Sequence, residues 1–175
     1  MIKIAIVGLG FVGSSLLNGL GRSVKVLKID PKLNTSIYDL KDFFPEIIFI
    51  CVPTPMNDDK TQDVSIIKSV VDEINSLDLD SLVVLKSTVL PNHLREIEDS
   101  TKRFVYNPEF LREKHANEDF IRSPLIVFGG SKDNCEKLSN FYLENTKCLC
   151  TDHVFTDAEL RLQMVEIAIK DQKNF

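Results

Sequence analysis

Short runs of β-branched and apolar residues alternate with amphipathic stretches along this chain. Residues 3–7, 24–29, 46–52 and 82–86 read as four strands. The third and fourth are nearly continuous in apolar residues, as parallel strands covered on both faces are. Three shorter strands are expected at 103–106, 125–128 and 147–150. Residues 12–20 suit a helix with Leu16, Leu17 and Leu20 on one face, and 64–74 a helix with Ile67, Val70, Val71 and Ile74 on its apolar stripe. Further helices are expected at 91–100 and 132–143, and 56–63 is polar and reads as a loop. Strand–helix–strand repetition predicts an α/β fold, a doubly wound, mostly parallel sheet with right-handed crossovers. Residues 156–169 form a last helix candidate, with Leu160, Met164 and Ile167 at helical spacing. The chain therefore divides into a domain at 1–152 and the start of a helical extension at 153–175.

The 175 residues fit one domain with a short extension. A compact fold of that size buries roughly 70% of its unfolded surface and needs no staples. The composition, 43% hydrophobic and 27% charged, is ordinary for a globular protein. The net charge of −5 offers no overall field to nucleic acid or an anionic membrane, so an anionic ligand has to be held by a local device such as a helix N-terminus. No apolar run approaches the roughly 18 residues of a membrane span. The first strand begins at once, without the pattern of a signal peptide, and a cytoplasmic location is expected. Cys51, Cys135, Cys148 and Cys150 form no C-x-x-C pair and read as reduced structural thiols. His93, His115 and His153 read as surface or loop histidines, and Asn57-Asp58-Asp59 as a solvated loop; no metal site is expected. Phe43, Phe44 and Phe49 read as core.

The first strand runs directly into Gly8-Leu9-Gly10-Phe11-Val12-Gly13, a G-x-G-x-x-G between a strand and a helix. Gly8 permits the tight turn, Gly10 lets a pyrophosphate approach the backbone, and Gly13 lets the helix pack close to the strand. The helix N–H groups, from Phe11 and Val12 on, then face the phosphates. Asp30 ends the second strand about 20 residues further along, where a carboxylate accepts from the ribose hydroxyls of NAD and repels the 2′-phosphate of NADP. The plainer reading of Asp30 is a strand-end turn residue before Pro31. Lys28 and Lys32 flank the position, with Lys32 a candidate cofactor contact, and Asp30 decides for NAD in a Rossmann-type domain.

More specific motifs follow in order: Cys51-Val52-Pro53-Thr54-Pro55, Lys86-Ser87-Thr88-Val89, Asn107-Pro108-Glu109-Phe110-Leu111-Arg112-Glu113, Asp119-Phe120, and Ile126-Val127-Phe128-Gly129-Gly130. With the glycine loop, this series resembles the UDP-glucose/GDP-mannose dehydrogenase family, up to about Cys150. The resemblance implies oxidation of a sugar C6 alcohol with NAD, through a thioester on a cysteine of a later domain. It implies cofactor binding by Gly8, Gly10, Phe11, Val12, Gly13, Asp30, Lys32, Val52, Pro53, Thr54, Thr88 and Glu113. It implies catalytic roles for Thr88, which also helps hold water in the hydrolytic step, for Glu109 as acid/base, and for Glu113 near the nicotinamide. If helical, Glu109 and Glu113 share a face, and their repulsion raises one pKa. Their plainer reading is a pair of solvated helix-start carboxylates, and that of Thr88 a helix N-cap.

The sequence also departs from the family. Its G-x-x-C-x-x-K-D motif does not occur in these 175 residues. Thr156, Ala158 and Glu159 match the opening of the family's central helix, but Leu162 and Glu166 stand where it has a lysine and an asparagine. A leucine has no donor for an oxyanion. The first expectation is thus the NAD-binding half of a nucleotide-sugar 6-dehydrogenase, taking a nucleotide sugar only when a second domain is supplied and forming a homodimer through its C-terminal helix. A non-catalytic NAD-binding module, a remnant, regulator or partner of a full-length relative, is the alternative. Another short NAD-dependent reductase of the β-hydroxyacid group is disfavoured by the N-P-E-F-L-R-E run.

Overall fold

A computed structural model describes residues 1–156. Seven strands form one sheet: β1 (Ile2–Val7), β2 (Val24–Ile29), β3 (Ile47–Ile50), β4 (Leu82–Leu85), β5 (Phe104–Tyr106), β6 (Ile126–Gly130) and β7 (His153–Thr156). The helices are α1 (Phe11–Gly19), α2 (Leu40–Phe43), α3 (Ser65–Ser76), α4 (Pro91–Asp99), α5 (Ala116–Ile121) and α6 (Lys132–Asn145), with 3-10 turns at Pro31–Leu33, Ile37–Asp39 and Glu113–His115. The strand order is β2-β1-β3-β4-β5-β6-β7. All neighbours are parallel except β5 and β6, which pair antiparallel.

Side-chain alternation along the strands builds two cores. Ala5 and Val7 of β1, with Ile48 and Ile50 of β3, pack on Ile67, Val71 and Ile74 of α3 and on Leu94 and Ile97 of α4. Ile4 and Ile6, with Ile47 and Phe49, face Leu16, Phe120, Leu138 and Phe141 of α1, α5 and α6. Strands covered on both faces explain the unbroken apolar runs. The chain leaves β1 toward β2 on one side and resumes at β3 on the other. The carboxyl ends of β1 and β3 therefore flank a topological switch point, where open α/β sheets hold ligands.

Three sequence expectations change. Residues 147–150 are not a strand: Lys147 N–H donates to Gly19 O (2.6 Å) and Leu149 N–H to Ile121 O (2.8 Å). Their donors are spent on the ends of α1 and α5, and the seventh strand forms at β7, against β6. Phe44, expected in the core, is 66% exposed and ends α2 in a left-handed conformation, whereas Phe49 is fully buried. His153 is no loop residue; it lies in β7, edge-on to Phe128, with Nδ1 2.7 Å from Ser139 Oγ. The helix candidate at 156–169, with Ala158, Glu159, Leu162 and Glu166, lies outside the described residues apart from Thr156, the last residue of β7. No described helix is long and apolar enough to cross a membrane. No cluster of three metal-ligating residues occurs among the described residues.

Candidate functional site

A cavity of about 860 Å³ opens over the carboxyl ends of β1 to β5. It joins Gly8, Gly10, Phe11 and Val12 to Asp30 and Lys32, to Val52, Pro53 and Thr54, and to Thr88 and Glu109.

The glycines are built for three different tasks. Gly8 has φ +89°, and a Cβ there would stand 2.7 Å from Cys51 O. A Cβ on Gly13 would stand 2.0 Å from Gly8 O, so this glycine seats α1 against the loop and does not line the cavity. A Cβ on Gly10 would meet nothing within 4 Å. That space lies at the N-terminus of α1, where no side chain caps the helix. Free N–H groups and the positive end of the helix dipole face it, which fits a pyrophosphate.

Asp30 is the turn residue at the end of β2 and also lines the cavity. Its Oδ2 accepts from Leu9 N–H (2.8 Å) and its Oδ1 from Lys32 N–H (3.0 Å), bracing the glycine loop and capping the Pro31–Leu33 turn. These bonds hold the carboxyl below the usual carboxylate range. Each oxygen keeps a lone pair for a ribose hydroxyl. Uncapped helix, open Gly10 and ionised Asp30 together fit NAD.

The β3–α3 loop is tied across the cavity to the end of β4. Thr54 Oγ1 (3.0 Å) and Gln62 Nε2 (2.9 Å) both donate to Thr88 O, and Leu90 N–H donates to Gln62 Oε1 (2.9 Å). Thr88 lines the cavity, and its hydroxyl makes no hydrogen bond among the described residues. No local pattern marks Gln62, because its partners are 26 and 28 residues away.

Glu109 is 9% exposed and lines the cavity at the end of β5. Burial raises its pKa; Lys86 and the Leu111 N–H (2.7 Å to Oε2) oppose that shift, and Asp119 adds to it. Its position depends on Asn107, which is held from three sides. Buried Lys86 Nζ donates to Asn107 Oδ1 (3.1 Å), Asn107 O (3.4 Å) and Tyr142 Oη (3.4 Å). Tyr142 Oη donates to Asn107 Oδ1 (2.7 Å), and Asn107 Nδ2 donates to Val127 O (3.0 Å). Beyond Glu109, Arg112 grips Asp119 with its backbone N–H, Nε and Nη2, pulling that carboxyl down to about 2.

Glu113 is not brought into this cavity. It is exposed, begins the Glu113–His115 turn, and lines a separate cleft of about 310 Å³ that shares Phe11. The chain from Glu109 to Arg112 is not helical, so the expected common helix face does not form. Burial, and not a Glu109–Glu113 repulsion, raises the Glu109 pKa. Cys51 also reaches the cavity wall, but burial pushes its thiol up to about 12. It stays protonated and is no nucleophile. Ile66, Val70 and Glu73, which belong to none of the sequence motifs, also line the cavity. Their helical spacing is the available signal, and the sequence expects Val70 on the core-facing stripe of that helix.

Residues 31–144 match the NAD-binding domain of the UDP-glucose/GDP-mannose dehydrogenase family. The glycine loop precedes that segment. The chain is 35% identical over 120 residues to a UDP-glucose 6-dehydrogenase of Rickettsia bellii, covering 64% of this chain and 28% of that relative. It is 33% identical over 135 residues to one of Rickettsia felis, covering 70% of this chain and 30% of the relative. The matched regions thus span less than a third of these relatives' length. A GDP-mannose dehydrogenase of Pseudomonas aeruginosa, solved as a ternary complex, superposes with a TM-score of 0.73 at 23% identity, over 98% of this chain and 50% of that one; this likeness is one of fold. The chain belongs to the UDP-glucose/GDP-mannose dehydrogenase family, as an NAD-binding domain of Rossmann type.

Proposed function

We propose that this chain is the cofactor half of a nucleotide-sugar 6-dehydrogenase and completes a reaction only with a sugar-binding half. One observation carries the reading: a single cavity gathers the open Gly10 backbone, the Asp30 carboxylate, the Thr54–Thr88 tie and the buried Glu109. NAD bound there supplies the acceptor for a hydride from the sugar C6 carbon. In this reading Gly10, Phe11 and Val12 hold the pyrophosphate, Asp30 the ribose, and Lys32, Val52, Pro53 and Thr54 the flanks. Glu109, its proton affinity raised by burial, takes the proton of the alcohol, and the Thr88 hydroxyl orients the polar group beside it. The second oxidation needs a thiolate and an oxyanion donor. Cys51 is protonated, and Leu162 replaces the expected lysine. A second half would bring both groups with the nucleotide-sugar site, and 156–169 would serve as the homodimer contact.

The test is calorimetric titration with NADH and NADPH of the wild type and of Asp30→Ala. NADH should bind, bind better than NADPH, and weaken roughly tenfold or more in the variant, as loss of a charge-assisted hydrogen bond predicts. Absence of binding by either nucleotide would overturn the reading. A non-catalytic NAD-binding module is the second reading, favoured by the position of Glu113 outside the cavity. Mixing the chain with a sugar-binding half separates the two, since turnover should appear only if the first is right.

A further inference from the structure

Part of the cavity wall is formed by neither the glycine loop nor Thr88 and Glu109. The residues after Asp30 in the cavity wall, Pro31, Ser36 and Ile37, belong to it, and α3 packs on the Ile37–Asp39 turn. From α3 come Ile66, Val70 and Glu73, spaced i, i+4 and i+7, which sets them on one stripe of the helix. The stripe is apolar for two positions and ends in a carboxylate. Glu73 is half-buried, and its Oε1 accepts one hydrogen bond among the described residues, from Ser69 Oγ at 3.3 Å. Most of its acceptor capacity is unspent.

A dinucleotide has a fixed order of parts. With the pyrophosphate at Gly10 and the ribose at Asp30, the base bonded to that ribose enters the next compartment along the wall. Apolar side chains there suit the faces of a purine, and a carboxylate suits a donor on its edge. Adenine offers such a donor in its exocyclic 6-amino group, and a 6-oxopurine offers an acceptor at the same atom. We propose that Glu73 reads the base of the dinucleotide, accepting a hydrogen bond from the 6-amino group and selecting adenine over a 6-oxopurine. The proposal rests on the NAD-binding reading above. A half-buried hydrogen-bonding group discriminates against the analogue that leaves it unpaired.

The experiment is calorimetric titration with NADH and with reduced nicotinamide hypoxanthine dinucleotide, on the wild type, Glu73→Gln and Asp30→Ala. The wild type should prefer NADH roughly tenfold. Glu73→Gln should bring the two within about twofold, because an amide offers a donor to the 6-oxo group as well as an acceptor. Asp30→Ala should weaken both and leave their ratio unchanged. Thermal melting of each variant verifies its fold. Equal affinity in the wild type, a preference for the hypoxanthine form, or a ratio unmoved by Glu73→Gln would overturn the proposal while leaving NAD binding intact. Failure of both dinucleotides to bind the wild type would overturn the NAD reading and this proposal with it.

Discussion

Gly10 and Gly13 lie within one turn of each other and carry opposite loads. Alanine at Gly13 drives a methyl into the Gly8 carbonyl, a backbone atom that cannot step aside. Gly13→Ala should therefore destabilise the fold by roughly 3 kcal/mol or more in denaturant titration. Gly10→Ala meets open space. It should change stability by no more than about 0.5 kcal/mol, yet weaken NADH binding at least roughly tenfold by filling the phosphate space. Equal stability losses in the two variants would contradict this division. Glu109 shows the same tension between site and stability. Its folded-state pKa is raised, chiefly by burial. Below its ordinary value of 4.5 the carboxyl is protonated in both folded and unfolded chains and costs nothing. As pH rises from there through the raised folded value, the folded form binds the extra proton, and stability falls. Glu109→Gln removes that loss and keeps an acceptor for the Leu111 N–H. It should be more stable than wild type at pH 8 and equal to it at pH 4. The opposite ranking at pH 8 would mean that Lys86 outweighs burial.

Elements meet at the site through bonds that cross the chain. Gln62 is the clearest, with one side-chain amide joining the β3–α3 loop to both Thr88 and Leu90. Gln62→Ala should leave the strands intact and speed hydrogen exchange at the Leu90 amide by roughly tenfold or more, since that donor then relies on water. Unchanged exchange would show that Thr54 alone holds the loop. The polar character of 56–63 was legible as a loop, because Asn57, Asp58 and Asp59 are turn residues. The tie was not, because nothing local marks a glutamine as a bridge. The seventh strand was misplaced for a related reason. Residues 147–150 alternate as a strand should, with Cys150 buried and Leu149 72% exposed, but their donors already serve Gly19 and Ile121. Alternation reports which side of a segment is buried and not which carbonyl its N–H groups meet.

Across the whole molecule, the cavity draws on the ends of β1 to β5 and the loops that follow them. A ligand bridging those loops should stabilise the fold as a unit. At 100 times its dissociation constant, NADH should add about 2.7 kcal/mol by mass action, raising Tm by roughly 5–10 °C in a domain of this size. NADPH at the same concentration should raise it less, since Asp30 repels the 2′-phosphate. A larger effect of NADPH would reverse the cofactor assignment. The matched segments span 28% and 30% of the two Rickettsia relatives.

What the sequence determined by itself was the part written in short-range patterns. Apolar runs covered on both faces specified a parallel α/β sheet, and strand–glycine loop–helix followed by Asp30 specified a dinucleotide site, because turns, helix starts and strand ends depend on neighbouring residues. That Thr54, Thr88 and Glu109 share one cavity was legible from the order of their motifs. The tertiary structure alone decided how side chains are shared among elements. It separated Glu109 from Glu113 by leaving the intervening chain unwound. It placed Lys86 and Tyr142 beneath Asn107 and aligned Glu73 with Ile66 on the cavity wall. Those outcomes depend on which buried polar groups find partners across the sheet, and the partners lie tens of residues apart in the chain.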